Sequence, residues 1–155
     1  MSTLKVQCLA SIGALVWALA AVASVHAQVE VGTWLRQAEK PGSRPMTMTV
    51  ERCCGNGRRI VYRIEGVPAV MIVESRFDGS EAPVLVDGKP SGETMAIKRV
   101  DDHHTYTVLK MNGKEFGTSK AALSPDGKTI TVENDFASDG GGHMAGKHME
   151  VWVRK

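Results

Sequence analysis

From residue 46 onward, apolar and polar positions alternate with period two far more often than they recur at helical spacing, which is the pattern of half-buried strands. In "MTMTVE", Met46, Met48 and Val50 share one face while Thr47, Thr49 and Glu51 share the other. In "RIVYRIE", Ile60, Tyr62 and Ile64 oppose Val61, Arg63 and Glu65. "KTITVENDF" sets Ile130, Val132 and Phe136 against Thr129, Thr131, Glu133 and Asp135. The last run, "HMEVWVR", sets Met149, Val151 and Val153 against His148, Glu150, Trp152 and Arg154. The class this predicts is all-β.

Turn chemistry falls between the runs at hairpin spacing: Gly55-Asn56-Gly57, Asp78-Gly79, Asp87-Gly88, Asn112-Gly113 and Pro125-Asp126-Gly127. Each supplies a residue that tolerates positive φ or a proline that sets the bend, so the strands should return antiparallel through short loops. About eight to ten strands are expected, near 46–52, 58–65, 69–77, 82–86, 93–100, 104–111, 114–123, 128–136 and 147–154, with a short opening element at 31–36. The stretch "RQAEKPGSRP" reads as a loop, broken by Pro41, Gly42 and Pro45. Regular spacing of this kind suits an antiparallel up-and-down meander, closed into a barrel or folded as a sandwich.

The first residues carry one lysine, Lys5, then an apolar run from about Leu9 to Val25 and the small-residue boundary Val25-His26-Ala27. That is a secretory signal peptide over residues 1–27, cut before Gln28, which makes residues 28–155 one secreted or periplasmic domain. The run is nearly long enough to span a bilayer, but its Val-x-Ala end favours cleavage over a retained anchor, so no stable membrane insertion is expected afterwards. Cys8 stands too early in the run for lipid attachment at its end. Losing Lys5 lowers the formal charge from +2 to about +1. So even a balance gives no field to recruit nucleic acid or an anionic membrane.

The opening "GTW" at 32–34 and the blocks "RFDGSEAPV" (76–84), "MAIKRVDDHHTYTVLKMNGK" (95–114) and "LSPDGKTITV" (123–132) together resemble small secreted bacterial lipocalin-like domains of the calycin type, over roughly residues 32–154. The resemblance implies a lipocalin-like β-barrel whose Gly-x-Trp element plugs the floor, usually beneath an arginine from near the last strand. Gly32 and Trp34 match that opening, and Arg154 is the candidate cap. A barrel of eight strands is just wide enough to fill with side chains or to hold one small ligand. The alternation predicts that Met48, Val50, Ile60, Tyr62, Ile64, Ile72, Met95, Ile97, Ile130, Val132 and Val151 point inward. Of these, Met48, Val50, Tyr62, Ile72, Met95, Ile97 and Val132 are the candidate ligand-binding residues, with Tyr62 as the polar handle. Flexible methionines suit an adaptable apolar pocket, although they also fill gaps in solid cores.

Other constellations weigh less. Cys53 and Cys54 are the two thiols left after cleavage, and adjacent Cα atoms about 3.8 Å apart lie below the usual disulfide range. On an extended strand their side chains would point to opposite faces, which spoils chelation of one metal. Bystander thiols or a thiol-linked homodimer rank first, a strained vicinal disulfide second, metal or redox chemistry last. Gly141, Gly146 and Lys147 reproduce a phosphate-loop spacing, but His148 replaces the Ser/Thr and a strand follows instead of a helix, so nucleotide binding is discounted. His143, Met144, His148 and Met149 are donors that suit copper, a rival to the plain hairpin loop. Asp101, Asp102, His103 and His104 read as a solvated turn, because no nucleophile motif accompanies them. The expected protein is a non-enzymatic binding module without a cofactor or resident metal, holding a small apolar or amphipathic ligand. Its rivals are a solid-core structural or interaction domain and a periplasmic copper-binding protein.

Overall fold

The computed structural model describes residues 30–38, 40–137 and 145–155. The predicted leader, together with Gly141, His143 and Met144, lies outside the described residues. Ten strands follow in chain order: β1 (Gly32–Arg36), β2 (Met46–Cys53), β3 (Gly57–Ile64), β4 (Val70–Ser75), β5 (Asp78–Val86), β6 (Lys89–Arg99), β7 (His104–Met111), β8 (Lys114–Leu123), β9 (Thr129–Phe136) and β10 (Gly146–Arg154). Each pairs antiparallel with its sequence neighbours, and β10 closes on β1, so the meander is a closed barrel with no helix among the described residues.

The hairpins follow from the turn residues. Asp87 and Gly88, and likewise Asn112 and Gly113, all adopt positive φ. Two-residue loops of that kind match the twist of the strands they join. The β5–β6 hairpin is longer than expected: β5 begins at Asp78 and β6 at Lys89, rather than near 82 and 93. Gly79, Pro83, Pro90 and Gly92 argue against strand locally, and the register shifts between Asp78 and Glu81 and between Pro83 and Leu85 absorb them as bulges.

Apolar side chains face the lumen. The outer face carries ion pairs such as Arg59–Glu74, Glu81–Lys110 and Glu133–Lys147, the inverse of a lipid-facing barrel. No helix among the described residues is long and apolar enough to cross a membrane. One barrel end gathers the start of β1, the hairpins β2–β3, β4–β5, β6–β7 and β8–β9, and the C-terminus. Trp34, fully buried, sits just inside this end. The Arg154 guanidinium lies over its ring at 4.4 Å, donating from Nε to the Gly127 carbonyl and from Nη1 to the Val31 carbonyl, both at 2.9 Å. Trp34 Nε1 donates to the Glu30 carbonyl at 2.9 Å. A Cβ at Gly32 would stand 2.6 Å from Arg154 Nη1, and its φ of 145° is one that side chains rarely adopt. The glycine two places before the tryptophan is thus what lets the arginine close over the indole.

Two inward assignments need correction. Val151 pairs with Thr131 on the outer face, while Trp152 and Arg154 pair with Arg36 and Trp34 and point inward. The Trp152 indole, 2 % exposed, buries far more apolar area than a valine, and Glu150 and Arg154 find partners inside, so the whole strand takes the opposite parity to its valines. Ile72 also lies outside, paired with Val61 and Leu85, because fully buried Val73 takes the lumen side with Met71. "VMIV" is apolar on both faces, so alternation alone gave it no parity.

A hollow lumen as the candidate ligand-binding site

The strands enclose a cavity of about 500 Å³ that runs along the barrel. This lies within the range of about 300–1,000 Å³ typical of small-molecule pockets. Met48, Val50, Tyr62, Met95, Ile97 and Val132 all border it, and Ile72 alone among the seven candidates does not. Around its middle, Val50, Ile60, Ile97, Leu123 and Ile130 join Trp34 and Trp152 in one apolar cluster, against which Met46, Phe77 and Met95 pack. A polar pair, Ser119 Oγ to Asn134 Oδ1, is satisfied within the wall.

Both ends of the cavity carry charged side chains. At the tryptophan end, Glu30 receives Arg58 Nη2 at 2.9 Å and Arg58 Nε at 3.1 Å, and also pairs with Arg99. Arg58 is almost wholly buried, its Nη1 donating to the Asn56 and Gly57 carbonyls. The Arg99 guanidinium stands over the Phe77 ring at 5.5 Å. Burial works against the Glu30 charge, but the hydrogen bond from Arg99 and the charges of Arg99 and Arg58 outweigh it, holding the carboxyl below its usual range.

At the opposite end stand Arg36, Tyr62, Glu93 and Glu150. Glu150 accepts from Arg36 Nη1 at 3.4 Å and from Trp152 Nε1 at 3.1 Å. Tyr62 meets Trp152 edge to face, with centroids 6.0 Å apart. Burial pushes the Glu93 carboxyl above the usual carboxylate range. Burial first, then the charges of Glu150 and Glu93, push the Tyr62 phenol up as well. Pattern reading had found the apolar wall and Tyr62 but not these charges. Glu93 does share the alternating face of Met95 and Ile97, a signal available in "ETMAI".

The remaining candidates fall elsewhere. Asp101 closes its turn by accepting from the His103 and His104 amides at 2.8 Å and from the His104 ring, at the rim of the tryptophan end. Its carboxyl is held low, first by the His103 amide and then by the His104 side chain. His148 and Met149 occupy successive strand positions, His148 packing near Phe136 and Met149 half exposed on the outer face, so these two copper donors diverge. No cluster of three His, Cys, Asp or Glu capable of holding a metal occurs among the described residues.

Cys53 and Cys54 are unbridged. The extended-strand geometry expected for them does not hold, because Cys54 leaves the strand at a positive φ of 50° and its thiol lies 3.9 Å from Glu74 Oε2. Burial first, then the neighbouring thiol, raises Cys53 to about 11, so it stays protonated and weakly nucleophilic at neutral pH.

No family model matches the chain, and no curated protein matches it. Among solved structures, a point mutant of the fluorescent protein UnaG aligns over 82% of this chain and 96% of that chain, with a TM-score of 0.59 and 14% sequence identity. Together with the closed ten-strand meander and the tryptophan under its arginine, this likeness shows that the chain has the lipocalin-like, calycin-type barrel fold.

Proposed function

We propose that this protein is a non-enzymatic binding module of the cell envelope or its exterior, which holds a small apolar or amphipathic molecule in the barrel lumen. One observation carries the reading: a continuous cavity of about 500 Å³ walled mainly by apolar side chains, aliphatic, methionine and aromatic. A solid-core structural domain would fill that space, because an empty interior forfeits the contacts that packed side chains would make. Export is supported by the Lys5, Leu9–Val25 and Val25-His26-Ala27 pattern at the start of the chain.

Ile97 is buried at mid-barrel in the apolar cluster and borders the cavity, so a larger side chain there obstructs the lumen. Titration with a fluorescent apolar dye and with a panel of long-chain amphiphiles should give saturable binding to the wild type. Ile97→Trp should abolish it while the β-sheet circular dichroism persists. Binding that is unchanged in a folded Ile97→Trp variant, or absent across the panel in the wild type, would overturn the reading.

A further inference from the structure

The lumen carries its charges at its ends. At the tryptophan end, Glu30 is engaged by Arg58 and Arg99, Asp101 by the His103 and His104 amides and the His104 ring, and Asp102 stands exposed at the rim. At the other end, Arg36 is the single cation lining the cavity among the described residues, against two carboxylates, Glu93 and Glu150. Arg36 and the Trp152 indole N–H are both engaged by Glu150. Among the described residues, the Glu93 carboxylate and the Tyr62 hydroxyl have neither hydrogen bond nor ion pair, yet neither is sealed from open space. Tyr62 is partly buried and lines the cavity.

We propose that the lumen selects a cationic head: the ligand is an amphiphile whose protonated amine sits against Glu93 and the Tyr62 hydroxyl, with its apolar tail directed toward Trp34. This rests on the reading of the lumen as a binding site and names the class of molecule it takes. A carboxylate head would add a third negative charge beside one arginine that is already paired. A neutral head would leave Glu93 desolvated and without a counter-charge, a costly state for a carboxylate. An ammonium supplies that counter-charge, donates to both Glu93 and the Tyr62 oxygen, and meets the ring surfaces of Tyr62 and Trp152, which attract cations. The raised Glu93 carboxyl is what an uncompensated, partly buried acid displays. In the reverse orientation the amine would meet Glu30 and Asp101, which already have partners, and Asp102 at an exposed rim.

The test uses dodecylamine, dodecanol and dodecanoate below their micelle concentrations, titrated against a lumen-bound apolar dye at neutral pH. The amine should displace the dye at about ten-fold lower concentration than either of the others, the scale of one charge-assisted hydrogen bond. Glu93→Gln should erase that preference, bringing dodecylamine and dodecanol to equal displacing concentrations. The glutamine variant should fold at least as well, since it removes an unpaired, partly buried charge. Tyr62→Phe, in turn, should reduce the preference only in part. Equal displacement by all three, or tighter binding of dodecanoate, overturns the cationic-head proposal while leaving the lumen site standing. Failure of the dye itself to bind removes both.

Discussion

Replacing Glu30 with glutamine should destabilise the barrel through the arginine it leaves behind. The Arg58 side chain is 3% exposed and depends on Glu30 for the partner of its Nε and Nη2, whereas Arg99 is 33% exposed and can turn to solvent. Removing one member of a buried pair costs about 3–5 kcal/mol. Arg58 keeps two carbonyl acceptors, and a glutamine oxygen keeps one contact, so the expected loss falls at or just below that low end, about 2–3 kcal/mol. For a domain of this size that corresponds to a fall in Tm of about 10 °C. Arg99→Met, which leaves Arg58 and Glu30 paired, should cost about 1 kcal/mol or less. The pH dependence provides a second reading. The folded Glu30 carboxyl lies below its ordinary value, so its contribution is present above the unfolded carboxylate pKa and is lost as pH falls through the lowered folded one. Urea midpoints of wild type and Glu30→Gln should therefore differ most at neutral pH and converge in acid. A neutral-pH difference below about 1 kcal/mol, or one that stays constant into acid, would refute the argument.

Two further outcomes follow from the same end of the molecule and from the leader. Gly32→Ala should displace Arg154 from the Trp34 ring, costing about 1–3 kcal/mol from the strained φ and the collision, with a shifted tryptophan emission as the direct sign; an unchanged spectrum and stability would contradict the capping geometry. Intact, non-reduced mass of protein exported by its host should correspond to a chain beginning at Gln28. The same spectrum reports whether the exposed Cys54 thiol has linked two copies, and a chain retaining Met1 in the membrane fraction would end the export reading.

Much of the barrel was legible because a strand whose two faces differ declares its own register. "MTMTVE" and "RIVYRIE" each offer one apolar row, and Met48, Val50, Ile60 and Tyr62 take the lumen as alternation requires. Where both faces are apolar the signal fails. Ile72 and Val73 are interchangeable in sequence, and only the pairing of Val73 with Ile60 decides which is inside. β10 fails differently, since its three outward residues, Met149, Val151 and Val153, form the more regular apolar row.

Closure of the barrel explains why that row loses. β10 is the strand that must pair with β1, and the register Trp34↔Arg154 and Arg36↔Trp152 brings both indoles and both charge partners to the inner face at once. A shift by one residue would turn Trp152, Glu150 and Arg154 outward together, uncovering Trp34 and leaving Arg36 without its carboxylate. The sum of those losses exceeds what two valines gain by burial, so the parity of the last strand is set by the first. The charged end of the lumen was hidden for a related reason. Arg36, Glu93 and Glu150 lie on three strands far apart in the chain, and each alone reads as an ordinary polar residue of its strand. Only a closed sheet gathers them around Tyr62, and the resulting excess of one carboxylate is a property of the assembled barrel that no single strand carries.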